Sequence, residues 1–252
     1  MKAAEFKEKY GPYALVAGGS VGLGAAFAEG IARRGVNLVL LARNAERLEA
    51  TAARLREAYG VDVIAVAADM ADWEGVKKRL SALKTGALKV GARTVGARPL
   101  EIGLLVYDAA FAPIGLFEDT SEDDLARAAA VNVKAPLLLA KLLTAPMIER
   151  GRGGILLMSS LAGGQGSPKL ATYAATKSFN VIVAEGLWKE LKPHGVDVLA
   201  CVAGAILTPG FQAASTSKPA PGTLPASACP ARSAPRSSSS PSPCSSTSSG
   251  SG

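Results

Sequence analysis

The sequence predicts an α/β fold: a doubly wound parallel sheet of about six strands between two helical layers, in a three-layer αβα arrangement. Short apolar runs alternate with helical patterns over roughly the first two hundred residues. The strand candidates are continuous apolar runs rather than alternating ones, which is typical of strands covered by helices on both faces. Strands that alternate with helices through right-handed crossovers form a parallel sheet.

Six strands follow in order along the chain, and turn-forming residues separate them from the helices. The expected strands are Ala14–Ala17, Asn37–Ala42, Val61–Ala68, Ile102–Tyr107, Ile155–Ser159 and Val196–Ala203. The clearest helical patterns are Ala25–Arg34, Ala45–Tyr59, Ser121–Glu149 and Ala171–Leu191. Lys84 to Arg98 carries several basic residues and no acidic ones, and it is expected to be a basic surface loop.

The composition divides the chain into two parts. Residues 1–212 carry the strand and helix patterns and are expected to form one dinucleotide-binding and catalytic domain. From Ala213 to Gly252, Pro, Ser and Ala dominate and acidic residues are absent. Such a low-complexity segment buries too little apolar surface to offset its conformational entropy, so we expect a disordered tail.

Charge and composition argue against several other classes. The formal net charge is +7, but the basic residues are dispersed and no nucleic-acid-binding motif accompanies them, so no nucleic-acid partner is expected. Three cysteines and one histidine provide no spacing typical of a disulfide framework or a metal site. The charged first ten residues do not resemble a signal peptide, and no uninterrupted apolar run approaches the ~20 residues of a membrane span. A cytoplasmic protein without membrane attachment is the expectation.

Three glycines follow the first predicted strand in the pattern G-x-x-x-G-x-G. Gly18, Gly22 and Gly24 also open the first helix. Glycines let the backbone approach a pyrophosphate closely, and a helix amino terminus offers free N–H groups and partial positive charge. A glycine triplet alone is equally compatible with an ordinary tight turn. Its position between strand and helix favours a dinucleotide site of the Rossmann type.

The residues after the second strand bear on which dinucleotide is bound. No carboxylate stands there to accept hydrogen bonds from a ribose diol; the chain has Arg43, which can pair with a 2′-phosphate, helped by Ser20. This favours NADP(H) over NAD(H), the alternative being a solvated arginine at a strand end. Asp69, after the third strand, is the expected acceptor for the adenine amino group, or else a helix N-cap.

Tyr173 and Lys177 are four residues apart on a predicted helix, so both side chains project from one face. A nearby ammonium favours the tyrosinate, which would lower the phenol pKa. Such a phenol can exchange a proton with an alcohol oxygen while a hydride moves to or from a nicotinamide.

The order and spacing of these motifs resemble the short-chain dehydrogenase/reductase family from about Tyr13 to Gly210. That family carries a glycine-rich T-G-x-x-x-G-x-G, an N-N-A-G after the fourth strand, a helical Asn, a Ser thirteen residues before the Tyr, and Y-x-x-x-K. Here Ser160 precedes Tyr173 at that spacing, and Asn132 lies in the long helix.

The resemblance implies the role of each residue. Ser160 would hydrogen-bond the substrate oxygen, Tyr173 would be the acid/base, Lys177 would hold the nicotinamide ribose, and Asn132 would maintain a helix kink and a water of the proton relay. Ile206 would contact the carboxamide. The residues expected at the cofactor are Gly18, Ser20, Gly22, Leu23, Gly24, Arg43, Asp69, Met70, Asp108, Ala109, Tyr173, Lys177, Ile206 and Thr208. The implied partner is a small carbonyl or alcohol substrate, with self-association into a homodimer or homotetramer through the two long helices.

The chain departs from the family pattern at several positions. Ala17 replaces the usual Thr, Tyr107-Asp108-Ala109-Ala110 replaces N-N-A-G, and Ala203 replaces a Pro before Gly204. The family's last helix and strand are not recognisable after Phe211. A catalytically impaired dinucleotide-binding remnant is therefore the alternative to an active reductase. A scaffold or nucleic-acid-binding role is supported by charge alone.

Overall fold

The computed structural model describes residues 1–84, 88–90, 93–95 and 100–204. In chain order, the helices and strands are α1 (Ala3–Tyr10), β1 (Tyr13–Ala17), α2 (Gly22–Ala32), β2 (Asn37–Ala42), α3 (Ala45–Tyr59), β3 (Val63–Ala67), α4 (Trp73–Lys84), β4 (Leu88–Val90), β5 (Arg93–Val95), β6 (Ile102–Tyr107), α5 (Glu122–Ala129), a π-helical turn (Ala130–Lys134), α6 (Ala135–Arg150), β7 (Gly153–Ser160), α7 (Ala171–Leu191) and β8 (Val196–Ala203). Short 3₁₀ turns follow β7 and α7, at Leu161–Gly164 and Lys192–His194.

Six strands form one parallel sheet in the order β3-β2-β1-β6-β7-β8. The chain moves outward from β1 to β3, returns to the centre at β6, and moves outward on the other side to β8. The strand order therefore reverses between β1 and β6, and ligands of open parallel sheets bind beyond the carboxyl ends of the strands at such a point. The predicted doubly wound α/β fold is confirmed.

Helices cover both faces of the sheet. On one face, α2 and α3 bury residues such as Ile31, Leu48 and Leu55 against the strands. On the other face, α6 and α7 contribute Leu139 and Leu191, among others, to a second apolar cluster. Burial on both faces explains why the strands have continuous apolar sequences.

The structure adds two features that the sequence patterns did not predict. Helix α1 packs Phe6 and Tyr10 against the cluster under α2 and α3. The segment expected to be a basic surface loop contains two short strands, β4 and β5, paired antiparallel to each other. The predicted tail, 213–252, and its boundary with the domain lie outside the described residues.

Among the residues that the structure describes, one helical stretch satisfies the length and hydropathy criteria for a membrane span. It runs from Glu122 to Arg150, 29 residues, with a mean hydropathy of 1.4 in its most apolar window. The sequence analysis did not expect such a run. Within it, Leu139 and Met147 are fully buried against the sheet, as in the core helix of an α/β domain.

Candidate active site

The glycine-rich loop between β1 and α2 is closely packed under the carboxyl end of β6. Gly18 and Gly22 have φ of +90° and +62°, the left-handed region that favours glycine. A Cβ on Gly18 would lie 2.7 Å from the backbone nitrogen of Ala109, and one on Gly24 only 2.2 Å from the carbonyl oxygen of Gly18. No larger residue fits at Gly18 or Gly24 without moving the backbone.

The amino end of α2 is suited to an anion. Its N-cap residue, Val21, makes no side-chain capping hydrogen bond, and the first turn holds no acidic residue. Apart from the Gly24 amide, which hydrogen-bonds Asp108, the N–H groups at the start of this turn and the helix dipole remain available to a pyrophosphate. Together with the cradle at Gly18 and Gly24, this geometry fits a dinucleotide along the first turn, where Gly22 and Leu23 lie.

Arg43 and Ser20 flank this loop. Arg43 is exposed just beyond β2, and Asn44 caps α3 by accepting a hydrogen bond from the Arg47 amide at 2.8 Å. The Ser20 carbonyl accepts a hydrogen bond from Thr51 Oγ1 at 2.9 Å, which ties the glycine loop to α3. The Arg43 guanidinium is thus free to turn towards a ligand at the end of β2.

Asp69 is held by an arginine that the sequence analysis did not identify. Both carboxylate oxygens accept hydrogen bonds from Arg127 on α5, at 3.0 and 2.7 Å, and Oδ1 also accepts one from the Ala71 amide. Burial raises the pKa of Asp69, but these bonds outweigh it and leave the pKa below its usual value. The N-cap alternative is wrong, because Asp72 accepts the capping hydrogen bond, from the Gly75 amide.

Met70 follows Asp69 and is 5% exposed, packed in the apolar cluster beneath the site. It therefore presents little side-chain surface to a ligand. Ile206 and Thr208, the other residues expected near the nicotinamide, lie outside the described residues.

Ser160 and Tyr173 meet where β7 ends and α7 begins. Ser160 is the last residue of β7, and its Oγ accepts a hydrogen bond from the Ala162 amide at 3.2 Å. A hydrogen bond from Ser160 to the Tyr173 phenol acts to lower the tyrosine pKa. The two side chains that the family resemblance assigns to the substrate oxygen are therefore neighbours in the structure.

Lys177 lies one turn further along α7 and is almost completely buried. Its Nζ donates a hydrogen bond to the Met158 carbonyl at 3.1 Å, and it lies 5.6 Å from the centre of the Tyr173 ring. Ser159 fixes the same turn by donating to the Lys177 carbonyl at 2.7 Å. Burial lowers the pKa of Lys177 to about 8, although Asp108 opposes this shift.

The expected lowering of the Tyr173 pKa is not seen in this ligand-free structure. Burial of the phenol raises its pKa, and the charge of Asp108 adds to this, while only the Ser160 hydrogen bond acts in the opposite direction. The Lys177 ammonium gives its hydrogen bond to the Met158 carbonyl rather than to the phenol. This expectation from the sequence was wrong because the i, i+4 spacing does not specify where the ammonium points.

Asn132 joins three parts of the site. It lies 1% exposed in the π-helical turn between α5 and α6, which is the kink expected there. Its side chain donates to the Phe111 carbonyl at 2.7 Å and to Thr176 Oγ1 at 3.0 Å, and accepts from the Phe111 amide at 2.8 Å. Thr176 in turn donates to the Tyr173 carbonyl at 2.8 Å. Asn132 thus holds the loop after β6 and the first turn of α7 together. No sequence motif indicated that Phe111 and Thr176 would be its partners.

Asp108 and Ala109 follow β6 directly and lie beside the glycine-rich loop. Their amides both donate to the Ala17 carbonyl, at 2.8 and 2.9 Å, which holds the end of β6 against the end of β1. The Asp108 carboxylate faces the glycine loop: its Oδ2 lies 3.0 Å from the position of a Cβ on Gly24. Burial raises the pKa of Asp108 to about 6, against the opposing effects of Lys177 and the Gly24 amide.

An open cavity of about 280 Å³ adjoins the start of α7. Its walls come from the loop after β6 and from the segment before Tyr173, and they include Pro113, Leu116, Phe117, Lys169 and Thr172. The walls are largely apolar, with Lys169 and Glu118 as the charged members.

The sequence of this chain is similar to those of proteins from one known family. The family model of the short-chain dehydrogenases matches residues 12–219. A 7β-hydroxysteroid dehydrogenase of Clostridium sardiniense is 28% identical over 204 residues, 81% of this chain and 73% of that protein. A very-long-chain 3-oxoacyl-CoA reductase of Podospora anserina is 32% identical over 219 residues, 85% of this chain but 60% of that protein. The chain thus spans between about three fifths and three quarters of the length of these relatives.

A solved structure agrees with the sequence matches. The short-chain dehydrogenase of Sphingobium yanoikuyae, crystallised in complex with NADPH, is 34% identical, with a TM-score of 0.69 over 78% of this chain and 72% of that one. The chain belongs to the short-chain dehydrogenase/reductase family, whose members are NAD(P)-dependent oxidoreductases.

Proposed function

We propose that this protein is an NADP(H)-dependent oxidoreductase that interconverts a carbonyl and a secondary alcohol, with Tyr173 as the acid/base. The observation that carries the proposal is the joining of Ser160, Tyr173, Lys177 and Asn132 into one cluster at the carboxyl edge of the sheet. The reductases and dehydrogenases among its relatives support a redox reaction of this class.

The chemistry assigned to the chain is proton transfer at the substrate oxygen. The bound cofactor supplies or accepts the hydride. Ser160 orients the oxygen and shares a hydrogen bond with the Tyr173 phenol, which donates its proton to the forming alkoxide or removes it from the alcohol. The raised pKa of Tyr173 keeps the phenol protonated at neutral pH, which suits donation in the direction of carbonyl reduction. Asn132 acts through Thr176, holding the first turn of α7 in place.

NADP(H) is the preferred cofactor in this proposal. Arg43 is exposed at the end of β2, and no carboxylate occupies that position to bind a ribose diol. The relative of known structure that holds NADPH supports the same choice. A fixed cation is the ordinary partner of a 2′-phosphate.

A turnover screen tests the proposal. The full chain is mixed with NADPH and a panel of ketones and aldehydes that includes steroid, sugar, acyl-thioester and bulky aromatic carbonyls, and oxidation is followed by absorbance. Turnover of at least one carbonyl that is lost in Tyr173→Phe is the expected result. Tyr173→Phe removes only the phenolic oxygen, so NADPH binding by fluorescence titration is expected to be retained.

The same screen separates the alternative, a dinucleotide-binding remnant without catalysis. NADPH binding without turnover of any carbonyl by the wild-type chain would favour the remnant. An absence of NADPH binding would contradict both.

A further inference from the structure

The Asp108 carboxylate is a partly buried anion inside the site that the proposed function gives to an anionic cofactor. Its Oδ2 lies 3.0 Å from the Cβ position of Gly24, in the first turn of α2. That turn supplies the free N–H groups expected to receive the pyrophosphate. The chain therefore carries a negative charge of its own beside the partial positive charge that the cofactor needs.

The groups around Asp108 do not neutralise this charge by direct pairing. From α2 the Gly24 amide faces the carboxylate, and from α7 the Lys177 ammonium acts on it through space, with the Tyr173 phenol on the same helix. Lys177 gives its hydrogen bond to the Met158 carbonyl. From β1 only the Ala17 carbonyl approaches, and it is bonded to the Asp108 and Ala109 amides.

We propose that Asp108 couples cofactor binding to the uptake of one proton, so that the anionic dinucleotide binds most tightly to the chain whose Asp108 carboxyl is neutral. The inference rests on the proposed function. On binding the dinucleotide, the ionised Asp108 carboxylate takes one proton from solvent and becomes neutral. The new O–H bond of the carboxyl is the only covalent bond that changes.

The electrostatic reason has two parts. The phosphates bring several negative charges close to the carboxylate, and like charges disfavour ionisation. The bound dinucleotide also excludes water from a carboxyl that is already largely buried, which disfavours its charged form further. Because burial already raises the pKa of Asp108 to about 6 in the ligand-free chain, the coupling is expected to act at neutral pH.

Binding measurements across pH test this coupling. The dissociation constant of NADPH is measured by fluorescence from pH 6 to pH 8 for the wild type, for Asp108→Asn and for Asp123→Asn, an exposed residue of α5 that gives a matched change of charge. Wild type and Asp123→Asn are expected to lose affinity by about tenfold over this range, as a shift of one pKa unit requires. Asp108→Asn is expected to bind about tenfold more tightly than wild type at pH 8 and to lose the additional pH dependence. The 2′-phosphate of NADPH also titrates in this range, so NADH, which lacks it, is measured in parallel.

Calorimetry counts the proton directly and does not depend on a variant. Binding to the wild type is measured at pH 7 in two buffers of different ionisation enthalpy, where uptake of about half a proton is expected, which is close to the maximum that a shift of one pKa unit gives. Asp108→Asn, checked for folding by thermal unfolding, is expected to take up correspondingly fewer protons; Asp108→Ser serves if Asn does not fold. Binding with the same pH dependence and proton count in wild type and Asp108 variants would overturn the coupling and leave the proposed function intact. An absence of dinucleotide binding at every pH would overturn both.

Discussion

Three charged side chains determine the electrostatics of this site, and their effects follow from how far each is buried and paired. Arg43 is exposed and available, Asp69 is neutralised by Arg127, and Asp108 is buried beside the glycine loop. An exposed guanidinium gains from pairing with a phosphate, whereas a buried carboxylate must be protonated or paired. The sequence indicated all three positions, but it did not indicate Arg127 or the burial of Asp108.

Arg43→Ala is expected to weaken NADPH binding by about tenfold or more, because it removes a charge-assisted contact of about 1.5–3 kcal/mol to the 2′-phosphate. NADH lacks that phosphate and should bind nearly as before. Fluorescence titration with both dinucleotides measures the effect. Equal losses for NADPH and NADH would refute the assignment of Arg43 to the 2′-phosphate.

Asp108→Asn should also change the pH dependence of stability. A carboxyl whose pKa rises from 3.8 to about 6 on folding contributes stability that is present below pH 3.8 and is lost as the pH rises through 6. The amide does not titrate, so the variant gains on wild type over that window, by up to about 3 kcal/mol. Urea unfolding of the ligand-free proteins at pH 4.5 and pH 7 checks the sign. A difference that stays constant between the two pH values would contradict the burial of an ionisable Asp108.

At the scale of elements, the kinked helix and the start of α7 form one unit through Asn132. The π-helical turn Ala130–Lys134 aims this side chain at the backbone of Phe111 and at Thr176. An extra residue in a helical turn is a frequent device at functional sites. Here it lets a helix residue fix the loop after β6.

Asn132→Ala leaves the Phe111 amide and carbonyl without their partner, so we expect a loss of about 1–3 kcal/mol in unfolding free energy. Turnover should fall as well, because the first turn of α7 loses its support. Thr176→Val keeps the side-chain shape and removes the hydrogen bonds of Thr176 to Asn132 and to the Tyr173 carbonyl, but it leaves Phe111 paired with Asn132, so it should lose less stability. Thermal unfolding of the two variants checks this order, and NADPH-dependent turnover checks the loss of activity. If Thr176→Val were the more destabilising change, Asn132 would not be the centre of the unit.

The elements that the sequence predicted best are those set by continuous apolar runs. The predicted bounds are those observed for β2, β6, β8, α3 and α7. Each of these elements has at least one face that packs into the apolar core. Helix α1 escaped prediction since it is short and mostly charged, and its helicity is stabilised by packing of Phe6 and Tyr10 rather than by propensity. The direction of the Lys177 ammonium escaped it as well, because that depends on the Met158 carbonyl of a strand distant in the sequence.

In the domain as a whole, the carboxyl ends and the amino ends of the strands have different roles. The candidate site lies at the carboxyl ends of the strands. Helix α1 packs near their amino ends, where Tyr10 lies close to Gly103 and Gly154. A Cβ on Gly154 would lie 2.8 Å from the Tyr10 ring. Contacts at the amino ends should therefore affect stability and leave cofactor binding unchanged.

Tyr10→Ala is expected to lower the unfolding free energy by about 2–4 kcal/mol, because it removes a partly buried aromatic ring from the core. The dissociation constant of NADPH should not change. Lys9→Ala removes a surface ion pair with Asp197 and an exposed cation–π contact with Tyr10, and it should cost about 1 kcal/mol. Denaturant unfolding and fluorescence titration measure the two quantities, and a weakened NADPH affinity in folded Tyr10→Ala would show that the two ends are not independent.

The most direct measurement of the central claim follows the transferred hydride and asks whether its transfer requires the Tyr173 phenol. NADPH deuterated at the transferable C4 position is incubated with the full chain and a carbonyl found by the screen, and the alcohol is examined by mass spectrometry. Wild type is expected to place one deuterium on the carbinol carbon, and Tyr173→Phe to bind NADPH but form no labelled alcohol. Labelled alcohol at the wild-type rate from Tyr173→Phe would contradict the role of Tyr173 in proton transfer.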